Sequence, residues 1–70
     1  MAMTYKQIVA ALIYKGYPNY LVKDQADWIF ENYYVELNHL RPIVFWQTIS
    51  IINQLTEEQI NAIYDQAEGV

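Results

Sequence analysis

Hydrophobic side chains along the chain recur at intervals of three and four residues, and no segment alternates apolar and polar residues for long. The first spacing is typical of amphipathic helices, and the second pattern would indicate half-buried strands. The sequence therefore predicts an all-α fold, a compact orthogonal bundle of four helices or of three helices plus an irregular segment. The length favours a single small helical domain over residues 1–70.

The first helix is predicted over residues 4–15. Thr4 and Gln7 have the spacing of a capping box, in which each side chain satisfies a backbone N–H of the other residue. Lys15 suits the negative end of the helix, and Gly16 can adopt the left-handed conformation that closes it. One face carries the apolar residues Tyr5, Ile8, Val9, Leu12 and Ile13.

The second helix is predicted to begin after the turn at Pro18, with Asn19 as its cap and Asp24 as the alternative cap. Its apolar face comprises Val22, Ala26, Ile29, Phe30 and Tyr33. The same spacing continues to Leu40, which would make a helix of about 33 Å at 1.5 Å per residue. We expect a break between Asn32 and Arg41, with Asn32 and Asn38 as the candidate positions.

The third helix is predicted over residues 42–54, with Pro42 at a favoured first position. It is apolar almost all round, and only Gln47, Ser50 and Gln54 form a narrow polar strip. A helix with so little polar surface is expected at the centre of the bundle or half covered by a partner.

The fourth helix is predicted over residues 57–67. Thr56 and Gln59 form a second capping box, and the apolar residues Ile60, Ile63, Tyr64 and Ala67 are expected to face inward.

Aromatic residues are numerous for a chain of 70 residues, with seven tyrosines, two tryptophans and two phenylalanines. We expect some of them to lie outside a core of this size, and exposed aromatic side chains favour interfaces. The alternative is that most belong to the core with their polar tips in water. An exposed Trp28 or Trp46 would indicate the binding face.

The charge balance argues against nucleic acid and membrane surfaces as direct partners. The net charge is −4, and the four basic residues are spread along the chain. Nucleic-acid binding needs clustered lysine and arginine, and anionic membranes also attract basic segments. A helix-turn-helix reading of the first two helices would present Asp24, Asp27 and Glu31 to the phosphates. The absence of cysteine is compatible with a reducing compartment, and we expect a cytoplasmic protein.

No motif indicates catalysis, a cofactor or a metal. There is no cysteine and one histidine, and nothing marks a pair of Ser50 with His39 as a catalytic unit. The acids Asp24, Asp27 and Glu31 share one helix face but lack the glycine-containing loop of a calcium site. We therefore expect neither an enzyme nor a cofactor or metal site.

The sequence thus predicts a small non-catalytic module or regulator that binds another protein through an aromatic and acidic surface. Two alternatives stay open: a structural protein that acts as a homodimer or other homo-oligomer, and an acidic inhibitor that mimics nucleic acid. The candidate partner-binding residues are Tyr14, Tyr17, Tyr20, Asp24, Asp27, Trp28, Glu31, Tyr34 and Trp46.

Overall fold

The computed structural model describes residues 4–37 and 43–67 and contains four helices. They are α1 (Tyr5–Lys15), α2 (Asn19–Leu37), α3 (Ile43–Gln54) and α4 (Glu57–Gln66). No strand occurs in these two ranges. The radius of gyration of 11.3 Å is the value expected for a compact chain of this length. The predicted all-α bundle of four helices is confirmed.

The two predicted capping boxes are present and set the starts of α1 and α4. The Thr4 hydroxyl accepts from the Gln7 backbone N–H at 3.1 Å, and the Gln7 side chain accepts from the Thr4 N–H at 2.9 Å. Thr56 and Gln59 make the same pair of bonds at 3.1 and 2.8 Å. Each box satisfies backbone donors that the first turn of a helix leaves without a partner.

Gly16 ends α1 in the left-handed conformation, with φ of 108°. Its N–H donates to the Ile13 carbonyl at 3.0 Å, and the Tyr17 N–H donates to the Leu12 carbonyl at 3.1 Å. This is the bonding pattern of a Schellman motif, in which glycine avoids the steric cost that a β-carbon would add.

The helix at the centre of the bundle is α1, so the prediction that helix 3 is central is wrong. Within the described ranges, α1 packs against each of the other three helices, and the other pairs have few or no contacts. Five consecutive residues of α1 have no exposed surface: Ile8, Val9, Ala10, Ala11 and Leu12. A helix that is buried on every side over more than one turn must be covered from several directions.

The second helix is continuous through the position where a break was a candidate. The Asn32 side-chain amide donates to the Trp28 carbonyl at 2.7 Å within α2, so the predicted break at Asn32 is wrong. The helix begins at Asn19, so Asn19 is its first residue and not the cap that was predicted. Asp24 lies inside the helix, which excludes it as the cap as well. The other candidate, Asn38, lies outside the described residues.

The core lies between α1 and its neighbours. Val22, Ala26 and Ile29 of α2 are fully buried, as is Thr48 of α3. Ile52 of α3 and Ile60 of α4 are also buried. Phe30, predicted to face inward, is instead 50% exposed, because it lies at the edge of the buried face of α2.

Candidate functional site

Exposed side chains on α2 form one continuous face opposite the buried one. Tyr20, Asp24, Trp28 and Glu31 are exposed, and their spacings of four, four and three residues place them on successive turns of the same side. Leu21, also exposed, is seven residues before Trp28 and therefore lies on the same side of the helix, about two turns away. We name these five residues the α2 outer face.

The α2 outer face is an apolar surface with acidic residues within it. Tyr20 is 79% exposed, and Leu21 and Trp28 are each 40% exposed. From Tyr20 to Glu31 the face extends about 16 Å along the helix axis at 1.5 Å per residue. Because Val22, Ala26 and Ile29 anchor the opposite side of α2 in the core, the face is held on a regular, packed helix.

Asp27 lies beside this face and is engaged within the chain. Its carboxylate accepts from the Lys23 ammonium at 3.1 Å, which is an exposed ion pair across one helical turn. It also accepts a hydrogen bond from the Tyr5 hydroxyl of α1. The bond from Tyr5, followed by the bond from Lys23, lowers the pKa of the Asp27 carboxyl below its ordinary value.

Tyr5 is the other partner in this contact and connects α1 to α2. Burial, together with the bond to Asp27, raises the pKa of the Tyr5 hydroxyl to about 12. The two directions agree, since a neutral hydroxyl that donates to a carboxylate disfavours ionisation of the tyrosine and protonation of the acid. The Asp27 carboxylate therefore has a structural role that Asp24 and Glu31 do not share.

The remaining candidate residues lie elsewhere. Tyr17 is half-buried and packs against the core, with the Lys15 ammonium 5.4 Å from its ring centroid. Tyr14 is exposed at the end of α1, and Trp46 is exposed on α3. The side chain of Tyr34 lies outside what the structure describes. Of the nine candidates, the structure brings Tyr20, Asp24, Trp28 and Glu31 onto one face.

Two exposed apolar residues were missed by the sequence analysis. Leu21 was not assigned to either face, although its seven-residue spacing from Trp28 places both on the same side of a helix. Phe30 was assigned to the core. Its ring packs edge-on against Tyr5, a tertiary contact that no spacing within α2 reveals.

The described lysines are all engaged in contacts within the chain. The Lys6 ammonium is 5.4 Å from the ring centroid of Tyr64, which connects α1 to α4. The Lys15 ammonium donates to the Gln47 side-chain oxygen, which connects α1 to α3. Lys23 pairs with Asp27 as above.

The structure contains a surface cleft of about 400 Å³ where the start of α1 meets α3 and α4. Ile52, Leu55 and Ile60 contribute its apolar lining, and Thr4 and Lys6 are among its polar lining residues. The Lys6 side chain is engaged with Tyr64, and the Thr4 hydroxyl with the Gln7 backbone. Gln7, Glu57 and Asn61 complete its polar lining.

Residues 4–37 and 43–67 contain no group of three or more histidine, cysteine or carboxylate side chains placed to hold a metal ion. None of their helices combines the length and the apolar character needed to cross a membrane. His39 lies outside these ranges, and the Ser50 hydroxyl accepts from the Gln54 side-chain amide at 3.2 Å.

Among the protein-family models, the curated proteins and the solved structures, none matches this chain.

Proposed function

We propose that the chain is a small, non-catalytic module that binds another protein through the α2 outer face. The observation that carries this proposal is the exposure of Tyr20, Leu21 and Trp28 along one side of a single helix. Tryptophan and tyrosine contribute disproportionately to the binding energy of protein interfaces. Apolar side chains that stay exposed along one side of a helix also favour an interaction site.

The way in which α2 is held supports the same proposal. The buried Val22, Ala26 and Ile29 fix the helix on α1, so that its outer face is already ordered before any partner arrives. A preorganised surface loses less conformational entropy on binding than a flexible one. We propose the cytoplasm as the location, since a chain without cysteine is compatible with a reducing compartment.

The proposal is tested by affinity capture from the lysate of the native host, followed by quantitative mass spectrometry. The baits are the wild-type chain, Trp28→Ala, and Trp46→Ala as the matched control, because Trp46 is similarly exposed but lies on α3. Circular dichroism first establishes that both variants remain helical.

We expect Trp28→Ala to lose the host proteins that the wild-type chain retains, and Trp46→Ala to keep them. Retention of the same proteins by Trp28→Ala would contradict the proposal. Loss of the host proteins with Trp46→Ala alone would place the binding contact on α3 instead.

A second candidate is a structural role through self-association, and the exposure of Trp46 on the apolar helix α3 favours it. A dimer gains stability with concentration, because folding and association are then linked by mass action. A melting temperature that rises over a hundredfold increase in concentration would support this role. A constant melting temperature would remove it.

The expectation of an acidic inhibitor that mimics nucleic acid also stays a prediction. Such an inhibitor would bind a nucleic-acid enzyme mainly through charge, and salt screens contacts of that kind. Capture of a nucleic-acid enzyme that high salt releases would favour it over the aromatic contact proposed here.

A further inference from the structure

The acids of the α2 outer face lie on either side of its tryptophan. Asp24 is four residues before Trp28 and Glu31 is three residues after it, so each is one turn away on the same side. The two carboxylates are thus about two turns apart, or about 10 Å along the axis. A partner that covers Trp28 must lie close to both acids.

No positive charge among residues 4–37 and 43–67 pairs with Asp24 or Glu31. The ion pair found there joins Lys23 to Asp27, and the other two lysines in these ranges are held by Tyr64 and by Gln47. Covering a carboxylate without a counter-charge is costly, because the charge loses its hydration without compensation. The lack of a counter-charge among these residues therefore favours an occupant that supplies positive charge.

A second copy of this chain is a poor occupant for the same reason. If two α2 outer faces met about a two-fold axis near Trp28, Asp24 of each copy would lie near Glu31 of the other. Like charges placed opposite each other across an interface disfavour association. Charge thus favours a different protein over self-association at this face.

We propose that the partner presents a basic amphipathic helix to the α2 outer face. Two lysine or arginine side chains, seven residues apart, contact Asp24 and Glu31, and an apolar side chain between them packs on Trp28. Two helices that pack side by side are 8–10 Å apart, and matching two-turn spacings bring the charges into register. This inference rests on the proposed function, and it specifies the chemistry of the partner.

The test uses two synthetic peptides of about 18 residues, which is long enough to form a helix of several turns. Both carry leucines on one face, and they differ only at two flanking positions seven residues apart, where one has lysine and the other glutamate. Binding to the full-length chain is measured by fluorescence anisotropy at low and at moderate salt.

The variants compare two pairs of acids with the same spacing. Asp24→Asn with Glu31→Gln removes the pair on the α2 outer face. Glu58→Gln with Asp65→Asn removes an exposed pair on α4 that is also seven residues apart. Both double variants change the net charge equally, so that a general electrostatic effect would appear in both.

We expect the lysine peptide to bind more tightly than the glutamate peptide, and to bind more weakly as salt increases. The α2 double variant should weaken its binding about fivefold, as expected for two exposed ion pairs, and the α4 double variant less than twofold. Equal binding of the two peptides, no binding of either, or equal effects of the two double variants would overturn the inference.

A failure of this inference can be distinguished from a failure of the proposed function. Suppose that Trp28→Ala abolishes capture of host proteins while the α2 double variant has no effect on peptide binding. The α2 outer face is then supported as a binding surface, and the inference of a basic partner is contradicted. If Trp28→Ala has no effect on capture, the proposed function itself is contradicted.

Discussion

The Tyr5 ring of α1 meets the Phe30 ring of α2 edge-on, with centroids 5.9 Å apart and planes at 86°. Edge-to-face aromatic pairs contribute about 0.5–1.5 kcal/mol beyond the area that they bury. The Tyr5 hydroxyl also donates to Asp27, so that one residue of the central helix fixes α2 through both its ring and its polar tip. This connection adds to the buried contacts of Val22, Ala26 and Ile29, which hold α2 in the core.

The Tyr5 hydroxyl should make stability depend on pH in the alkaline range. Its pKa is about 12 in the folded chain and about 10 in the unfolded chain, so the folded state binds its proton more tightly. Its contribution is therefore fully present below pH 10 and is lost as pH rises from 10 towards 12.

The measurement is the urea midpoint of the wild-type chain and of Tyr5→Phe between pH 7 and 11.5. Tyr5→Phe should be less stable at neutral pH, and the difference should shrink above pH 10. Tyr20→Phe controls for removal of an exposed hydroxyl. A difference for Tyr5→Phe that stays constant over the whole range would contradict the assigned contact.

The central position of α1 predicts unequal effects of the same substitution in two helices. Ile8 of α1 is fully buried, whereas Ile49 of α3 is only partly buried against the same core. Ile8→Ala should cost about 2–5 kcal/mol through lost burial and a residual cavity. Ile49→Ala should cost less, and urea unfolding measures both. A larger loss of unfolding free energy for Ile49→Ala than for Ile8→Ala would indicate that α3 is the central helix.

The sequence predicts local features of this fold better than tertiary ones. The capping boxes at Thr4 and Thr56 and the glycine that ends α1 were predicted correctly, because each depends on residues within one turn. The central helix was predicted incorrectly, because the average apolarity of its residues favoured α3. Which helix is central depends on which one the others enclose, and this is a tertiary property. The small side chains of Ala10 and Ala11 contribute little to the average apolarity of α1.

For the α2 outer face, too, local features were predicted better than tertiary ones. Helical spacing alone places Asp24, Trp28 and Glu31 on one side, as the structure confirms. Asp27 has a spacing that also fits that side, but its carboxylate bonds to Tyr5 from another helix. Tyr17 packs on the core for a similar reason, because its surroundings come from elements distant in sequence.

Gly16 should resist replacement although there is space for a side chain. A β-carbon built there meets nothing within 4 Å, so any cost arises from the backbone at φ of 108°. Gly16→Ala should therefore destabilise the chain by about 1–2 kcal/mol, as measured by thermal unfolding. A D-alanine at this position, introduced by chemical synthesis, should avoid the cost. Equal losses for the two forms of alanine would contradict a backbone cause.

The exposed tyrosine of α2 should be dispensable for folding. Tyr20 is 79% exposed, and surface substitutions away from special features usually change stability by no more than about 0.5 kcal/mol. Tyr20→Ala should therefore unfold at nearly the wild-type urea concentration while it weakens capture of the host partner. A loss of more than about 2 kcal/mol, comparable to a core substitution, would indicate that the ring supports the fold instead.

The most direct test of the α2 outer face is tryptophan fluorescence during titration with the host protein that the wild-type chain captures. Trp46→Phe leaves Trp28 as the only tryptophan, and Trp28→Phe leaves Trp46. We predict that the emission of Trp28 moves to shorter wavelength as the partner covers it, while that of Trp46 stays constant. A shift of Trp46 with no change at Trp28 would contradict the account.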